Sequence, residues 1–127
     1  MEITAILTVL VLLQYTWFGI QVGSMRGKHE VKAPAIVGAP EFERMFRVHY
    51  NTLEQLVVFL PAVWLFGFMV NHLWGAGFGV VYLAGRFLYR AEYMKEPASR
   101  GLGFSMTFLP SIVMLIWVLV VAVRALL

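Results

Sequence analysis

The sequence predicts an all-α protein, an integral membrane bundle of four helices, and three observations lead there. Hydrophobic residues make up 61% of the 127 positions and charged residues only 13%, and the mean hydropathy is +0.79, values outside the range of soluble domains. Four apolar segments, at about 3–22, 44–70, 72–93 and 102–126, each have the roughly 20 residues needed to cross a ~30 Å hydrocarbon core. None of them alternates polar with apolar residues as a membrane barrel strand must. Helices are then the remaining way to satisfy every backbone group in lipid. At this length one domain covering 1–127 is expected.

The first helix is expected over Ile3–Val22. Its start, Met-Glu-Ile-Thr, lacks the basic stretch of a secretion signal, so it reads as a retained span. Gly23-Ser24-Met25-Arg26-Gly27-Lys28 reads as its stop, with cations at the negative end of the helix dipole. Taken alone, Arg26 is an interfacial anchor with its stem in lipid. An irregular loop with Pro34, Gly38 and Pro40 follows. Pro40-Glu41 then opens the second helix, acids in its first turn, and this helix is longer than a span requires. Its first two turns should project into water, and Pro61 should kink it near Val57.

The third helix carries Arg86, Tyr89, Arg90 and Tyr93 at spacings of three and four, hence on one face. Arg86 lies deepest and needs a counter-charge, for which Glu54 or Glu43 on the second helix is expected. Pro97 and Gly101 break the next connection, and the fourth helix should begin just after Arg100. Pro110 interrupts an otherwise uniform apolar run. Lys and Arg gather at the first and third connections and are missing from the second. By the positive-inside rule those two connections face the cytoplasm and both termini lie outside.

Several chemistries are excluded. There is no cysteine, so disulfides, zinc thiolates and protein-thiol nucleophiles are out, and any sulfur nucleophile must arrive with a ligand. No paired acids, glycine-rich phosphate loop or His-Glu metal pattern is present, and His29, His49 and His72 lack ligand spacing. The net charge of +3 fits topology, anionic lipid or an anionic ligand rather than nucleic acid. What remains is the polar face of the second helix. At about 100° per residue, Arg47, Asn51 and Glu54 lie within roughly 60° of one another, Glu43, Arg44 and Gln55 widen the arc to about 120°, and His49 points away. Guanidinium groups take carboxylates in a bidentate fork, while a carboxylate and an amide hold an ammonium. A tripeptide with two carboxylates and one amino group matches such a set.

Pro40-Glu-Phe-Glu-Arg-x-x-Arg47-x-x-x-Asn51-x-x-Glu54, then Tyr82-Leu-x-x-Arg86-x-x-Tyr89-x-x-x-Tyr93 and Arg100, resembles the MAPEG family of membrane glutathione-dependent proteins, in the branch of leukotriene C4 synthase and microsomal glutathione transferases 2 and 3. The resemblance spans nearly the whole chain. It implies a homotrimer with glutathione as co-substrate between neighbouring subunits at the cytoplasmic rim. It further implies a glutathione pocket of Arg26, Arg47, His49, Asn51, Glu54, Gln55, Tyr89 and Tyr93, with Arg100 as the catalytic residue beside the sulfur. His49 and Arg26 would serve the neighbour's pocket. The implied activity is glutathione transfer, with a peroxidase side activity, toward hydrophobic electrophiles or lipid hydroperoxides arriving from the bilayer. Gly27, His49 and Gln55 depart from the leukotriene-forming pattern, which favours a general transferase. A non-catalytic lipid-binding scaffold of the same family is the alternative. The compact loops point to a bacterial protein, placed in the inner membrane.

Overall fold

The computed structural model describes all residues from Met1 to Leu127 and is almost entirely helical. Four long helices follow in order: α1 (Glu2–His29), α2 (Pro40–Phe66), α3 (His72–Lys95) and α4 (Gly101–Leu126). A five-residue π turn, Gly67–Asn71, joins α2 to α3, and a short 3-10 turn, Pro97–Ser99, precedes α4. Three apolar runs are long enough to cross a membrane, and the middle one, Pro40–Lys95, is 56 residues. It doubles back at Asn71, whose backbone is extended (φ −167°, ψ 123°) and whose Oδ1 accepts from Leu73 N and Trp74 N. This side-chain cap satisfies two orphan amides and starts α3 in the reverse direction. Phe59 on α2 then stacks on Tyr82 of α3 with centroids 3.9 Å apart, as an antiparallel hairpin requires.

α1 is longer than the sequence suggests. It runs through Gly23 and Gly27 to His29 and ends on Glu30 in the left-handed region (φ 54°), with Val31 N bonded to Arg26 O at 3.0 Å. Glycine inside a helix costs only about 1 kcal/mol relative to alanine, so two glycines among good helix formers do not stop it. The extra turns bring the end of α1 to the start of α2. There Glu41 Oε2 accepts from Lys28 Nζ at 3.0 Å and pairs with His29 Nε2 at 2.8 Å. Arg26 is drawn into the loop rather than into lipid: its Nη1 donates to Ala35 O at 2.6 Å, and its guanidinium lies 4.8 Å from the Phe42 ring centroid. α2 continues as one helix through Pro61.

Two apolar clusters fill the bundle. One lies toward the α2–α3 turn and includes Leu7, Phe59, Phe66, Tyr82 and Met114; the other, toward the loop end, includes Phe18, Phe42, Met45 and Tyr89. Large apolar residues such as Ile20, Phe68, Trp74 and Leu119 are exposed around the outside, as expected of a lipid-facing surface. Glycines set the closest approaches. A Cβ on Gly79 would enter the Leu7 side chain, and one on Gly103 would land on the backbone of Tyr89, so α4 packs against α3 at near backbone contact.

Gly103→Ala should therefore destabilise the fold by about 1–3 kcal/mol through overpacking against an immobile backbone, read as a lower melting temperature in detergent. The clasp between α1 and α2 predicts a pH effect. Hydrogen bonds from Lys28 and His29 hold the Glu41 carboxyl below its ordinary value of 4.5. Its contribution is complete above that value and is lost as pH falls through the lowered folded-state value. Limited proteolysis of the 30–39 loop should accelerate on acidification below that range, and Glu41→Gln should show faster cleavage already at neutral pH.

Candidate functional site

The polar cleft lies at the loop end, between α2, the end of α3 and the start of α4. Its floor is Arg86. This guanidinium is fully buried, and its Nη1 donates to Asn51 Oδ1 at 3.0 Å while Nη2 donates to Thr52 Oγ1 at 2.8 Å. The face of the Tyr89 ring covers it, with 4.2 Å from Cζ to the centroid. The expected carboxylate partner is not there. Glu43 accepts from Gly38 N instead, and Glu54 is reached only through Asn51, whose Nδ2 donates to Glu54 Oε2 at 3.0 Å. Because a guanidinium only donates and a carboxylate only accepts, an amide between them must turn its oxygen to Arg86 and its nitrogen to Glu54. Arg86 thus positions Glu54 at one remove.

Above this floor a cleft of about 290 Å³ is lined by Arg47, Tyr50, Asn51, Glu54, Tyr89, Tyr93 and Arg100. The α2 members come from successive turns, which puts their side chains in one column. Tyr89 is buried and packs 5.6 Å from Tyr93. Arg100 occupies the N-cap position of α4, where its Nη1 donates to Pro97 O at 2.6 Å and its Cζ lies 5.9 Å from the Tyr93 centroid. The α4 N-terminus adds its own positive end to that charge. Glu92 occupies one amide of this turn, accepting from Gly103 N at 3.1 Å. Arg47 is exposed and no acceptor in the chain engages it. A wider cleft of about 640 Å³ adjoins the first and shares Arg47, Tyr50 and Tyr93 with it.

Arg47, Asn51, Glu54, Tyr89, Tyr93 and Arg100 are thus brought together within one chain. Arg26, His49 and Gln55 are not. Arg26 clamps the first loop. His49 stacks on Tyr15 at 4.4 Å and fills the space beside Gly19 on the α1 side. Gln55 is half-buried beyond the cleft wall. Sequence reasoning overlooked Tyr50, which lines both clefts. Its spacing of three from Arg47 was the available signal. Thr52 was also overlooked; a short hydroxyl between Asn51 and Glu54 gives no hint that it meets an arginine from another helix.

Removing Arg86 takes the donor from the buried Thr52 hydroxyl and from the half-buried Asn51 amide, at about 1–3 kcal/mol for a buried group. Arg86→Leu should therefore lower the melting temperature more than Thr52→Val, which leaves the Asn51 contact intact.

Among known families, residues 4–120 match the MAPEG family. An uncharacterized protein of Synechocystis sp. is 40% identical over 112 residues, covering 88% of this chain and 82% of its own. Human microsomal glutathione S-transferase 2 is 36% identical over 103 residues, covering 81% and 70%. Bovine leukotriene C4 synthase is 34% identical over 96 residues, covering 76% and 64%. With a match across nearly its whole length and relatives above 30% identity, the chain belongs to the MAPEG family.

Proposed function

We propose that this protein is a membrane glutathione transferase with a glutathione peroxidase side activity. The observation that carries this reading is the convergence of Arg47, Asn51, Glu54, Tyr89, Tyr93 and Arg100 on one cleft at one end of an apolar bundle. Arg47, free of partners in the chain, is placed to take a glutathione carboxylate. Glu54, its orientation set by Asn51 and Arg86, is placed to take the ammonium.

Arg100 would act on the sulfur. A free thiol with a pKa near 8.5 is only a few per cent thiolate at neutral pH, and a fixed cation with a helix N-terminus lowers that value by one to several units. A drop of about two units makes most bound glutathione nucleophilic. The thiolate then attacks an electrophilic carbon, forming the C–S bond as the leaving group departs or the adjacent double bond takes up a proton. Against a lipid hydroperoxide it attacks the terminal oxygen. The O–O bond breaks, the alkoxide is protonated to the alcohol, and a second glutathione converts the sulfenic acid to glutathione disulfide and water.

Arg26, His49 and Gln55 lie on surfaces outside the cleft, which suits a homotrimer in which one subunit's α1–α2 face completes its neighbour's pocket. The cationic loops support a cytoplasmic position for the cleft, and the cyanobacterial relative supports a bacterial inner membrane.

Ultraviolet difference titration of the detergent-purified protein with glutathione should give a saturable thiolate absorbance that Arg100→Ala abolishes. Binding without that absorbance in the wild type would remove Arg100 from its role; no binding at all would replace the enzyme with a lipid-binding scaffold. Arg86→Leu should weaken glutathione binding at least tenfold, the effect of losing about 1.4 kcal/mol, whereas Thr52→Val should leave it unchanged.

A further inference from the structure

A second concave surface lies between α1 and α3, on a different side of the bundle from the cleft. The two helices run parallel, and Gln14 meets Leu83, Trp17 meets Phe87, and Gln21 meets Arg90. Between them runs an apolar groove of about 390 Å³ lined by Leu10, Leu13, Gln14, Trp17, Leu83 and Phe87. Its walls are joined by Gln14 Nε2, which donates to Leu83 O at 3.0 Å. Leu13, Trp17 and Phe87 leave 59%, 43% and 46% of their surfaces open.

One end of the groove is cationic. The Arg90 guanidinium lies 5.3 Å from the Trp17 ring centroid, and its Nε donates to Gln21 Oε1 at 2.6 Å. These contacts fix the plane of the group yet use one of its five N–H donors. No carboxylate pairs with Arg90, and neither Nη has a partner in the chain. Gln21 lies seven residues beyond Gln14 on α1, so the charge sits roughly 10 Å along the helix from the middle of the groove. A fixed, uncompensated guanidinium at the head of a lipid-exposed apolar channel is complementary to an anionic headgroup with an attached acyl chain, and the fork geometry suits a phosphate.

We propose that this groove seats one acyl chain of an anionic bilayer phospholipid, with the lipid phosphate held by the free donors of Arg90. None of the cleft residues takes part, so the site stands apart from the glutathione reading.

Brominated lipids test it, because bromine on an acyl chain quenches a tryptophan it touches. The full-length protein is reconstituted in phosphatidylcholine vesicles containing a small fraction of dibrominated phosphatidylglycerol or, separately, dibrominated phosphatidylcholine. Trp17 emission is taken as the difference between wild type and Trp17→Phe. The anionic lipid should quench Trp17 at about fivefold lower mole fraction than the neutral one, as expected for one basic side chain near the surface. Arg90→Gln should abolish that preference. Leu13→Trp, measured by lipid retention in native mass spectrometry, keeps the cation, narrows the groove, and should likewise lose selective phosphatidylglycerol retention. Equal quenching by both lipids in the wild type would overturn the proposal by showing that the groove holds bulk lipid. Absence of Trp17 quenching by either lipid would also overturn it, since a second copy of the chain or another protein would then fill the groove.

Discussion

A guanidinium buried among apolar helices is the constraint on which the loop end of this protein depends. Arg86 has no access to solvent and no ion-pair partner, so its charge is stabilised by the Asn51 and Thr52 oxygens and by the Tyr89 ring. An ionised side chain without such contacts in this environment costs several kcal/mol. α2 and α3 must therefore approach at one height and one rotation, which also brings Asn51 and Glu54 beside Tyr89 and Tyr93. The contact between the hairpin arms and the geometry of the cleft thus have a common origin.

The far end of the bundle is held differently. There the reversal at Asn71, the Phe59–Tyr82 stack and the small residues of α3 bring the helices together without charge. Association in lipid gains little from expelling water, so close packing and a few hydrogen bonds supply the specificity. Gly103 carries this packing to the site, because the α4 start, with Arg100 at its cap, is placed by near contact with the Tyr89 backbone.

α3 consequently serves two environments. Tyr89 and Tyr93 face the polar cleft, while Leu83, Phe87 and Arg90 face α1 and the surface where lipid is expected. Successive residues differ by about 100° in direction, so one helix can present a tyrosine to a hydrophilic ligand and the adjacent arginine to a headgroup. The shared helix face expected for Arg86, Tyr89, Arg90 and Tyr93 does not carry Arg90 into the cleft: Arg86 and Arg90 differ by only about 40° in direction, yet Arg86 is enclosed by α2, while Arg90 lies between Trp17 and Gln21 at the edge because α1 packs there.

The sequence by itself determined the helical class, the apolar runs long enough to cross a membrane, the start of α4 after Arg100, and the column of Arg47, Asn51 and Glu54. Each is a property of a single segment, set by composition, by 3.6-residue periodicity or by a local break. Tertiary structure alone decided that α1 continues through two glycines to meet Glu41, that Arg26 closes a loop, that Thr52 and Asn51 rather than a carboxylate receive Arg86, and that Tyr50 lines both clefts. Those outcomes depend on the relative height and rotation of two helices. Side-chain periodicity tells which residues share a face of one helix; which residues of another helix that face meets is settled only when the elements pack.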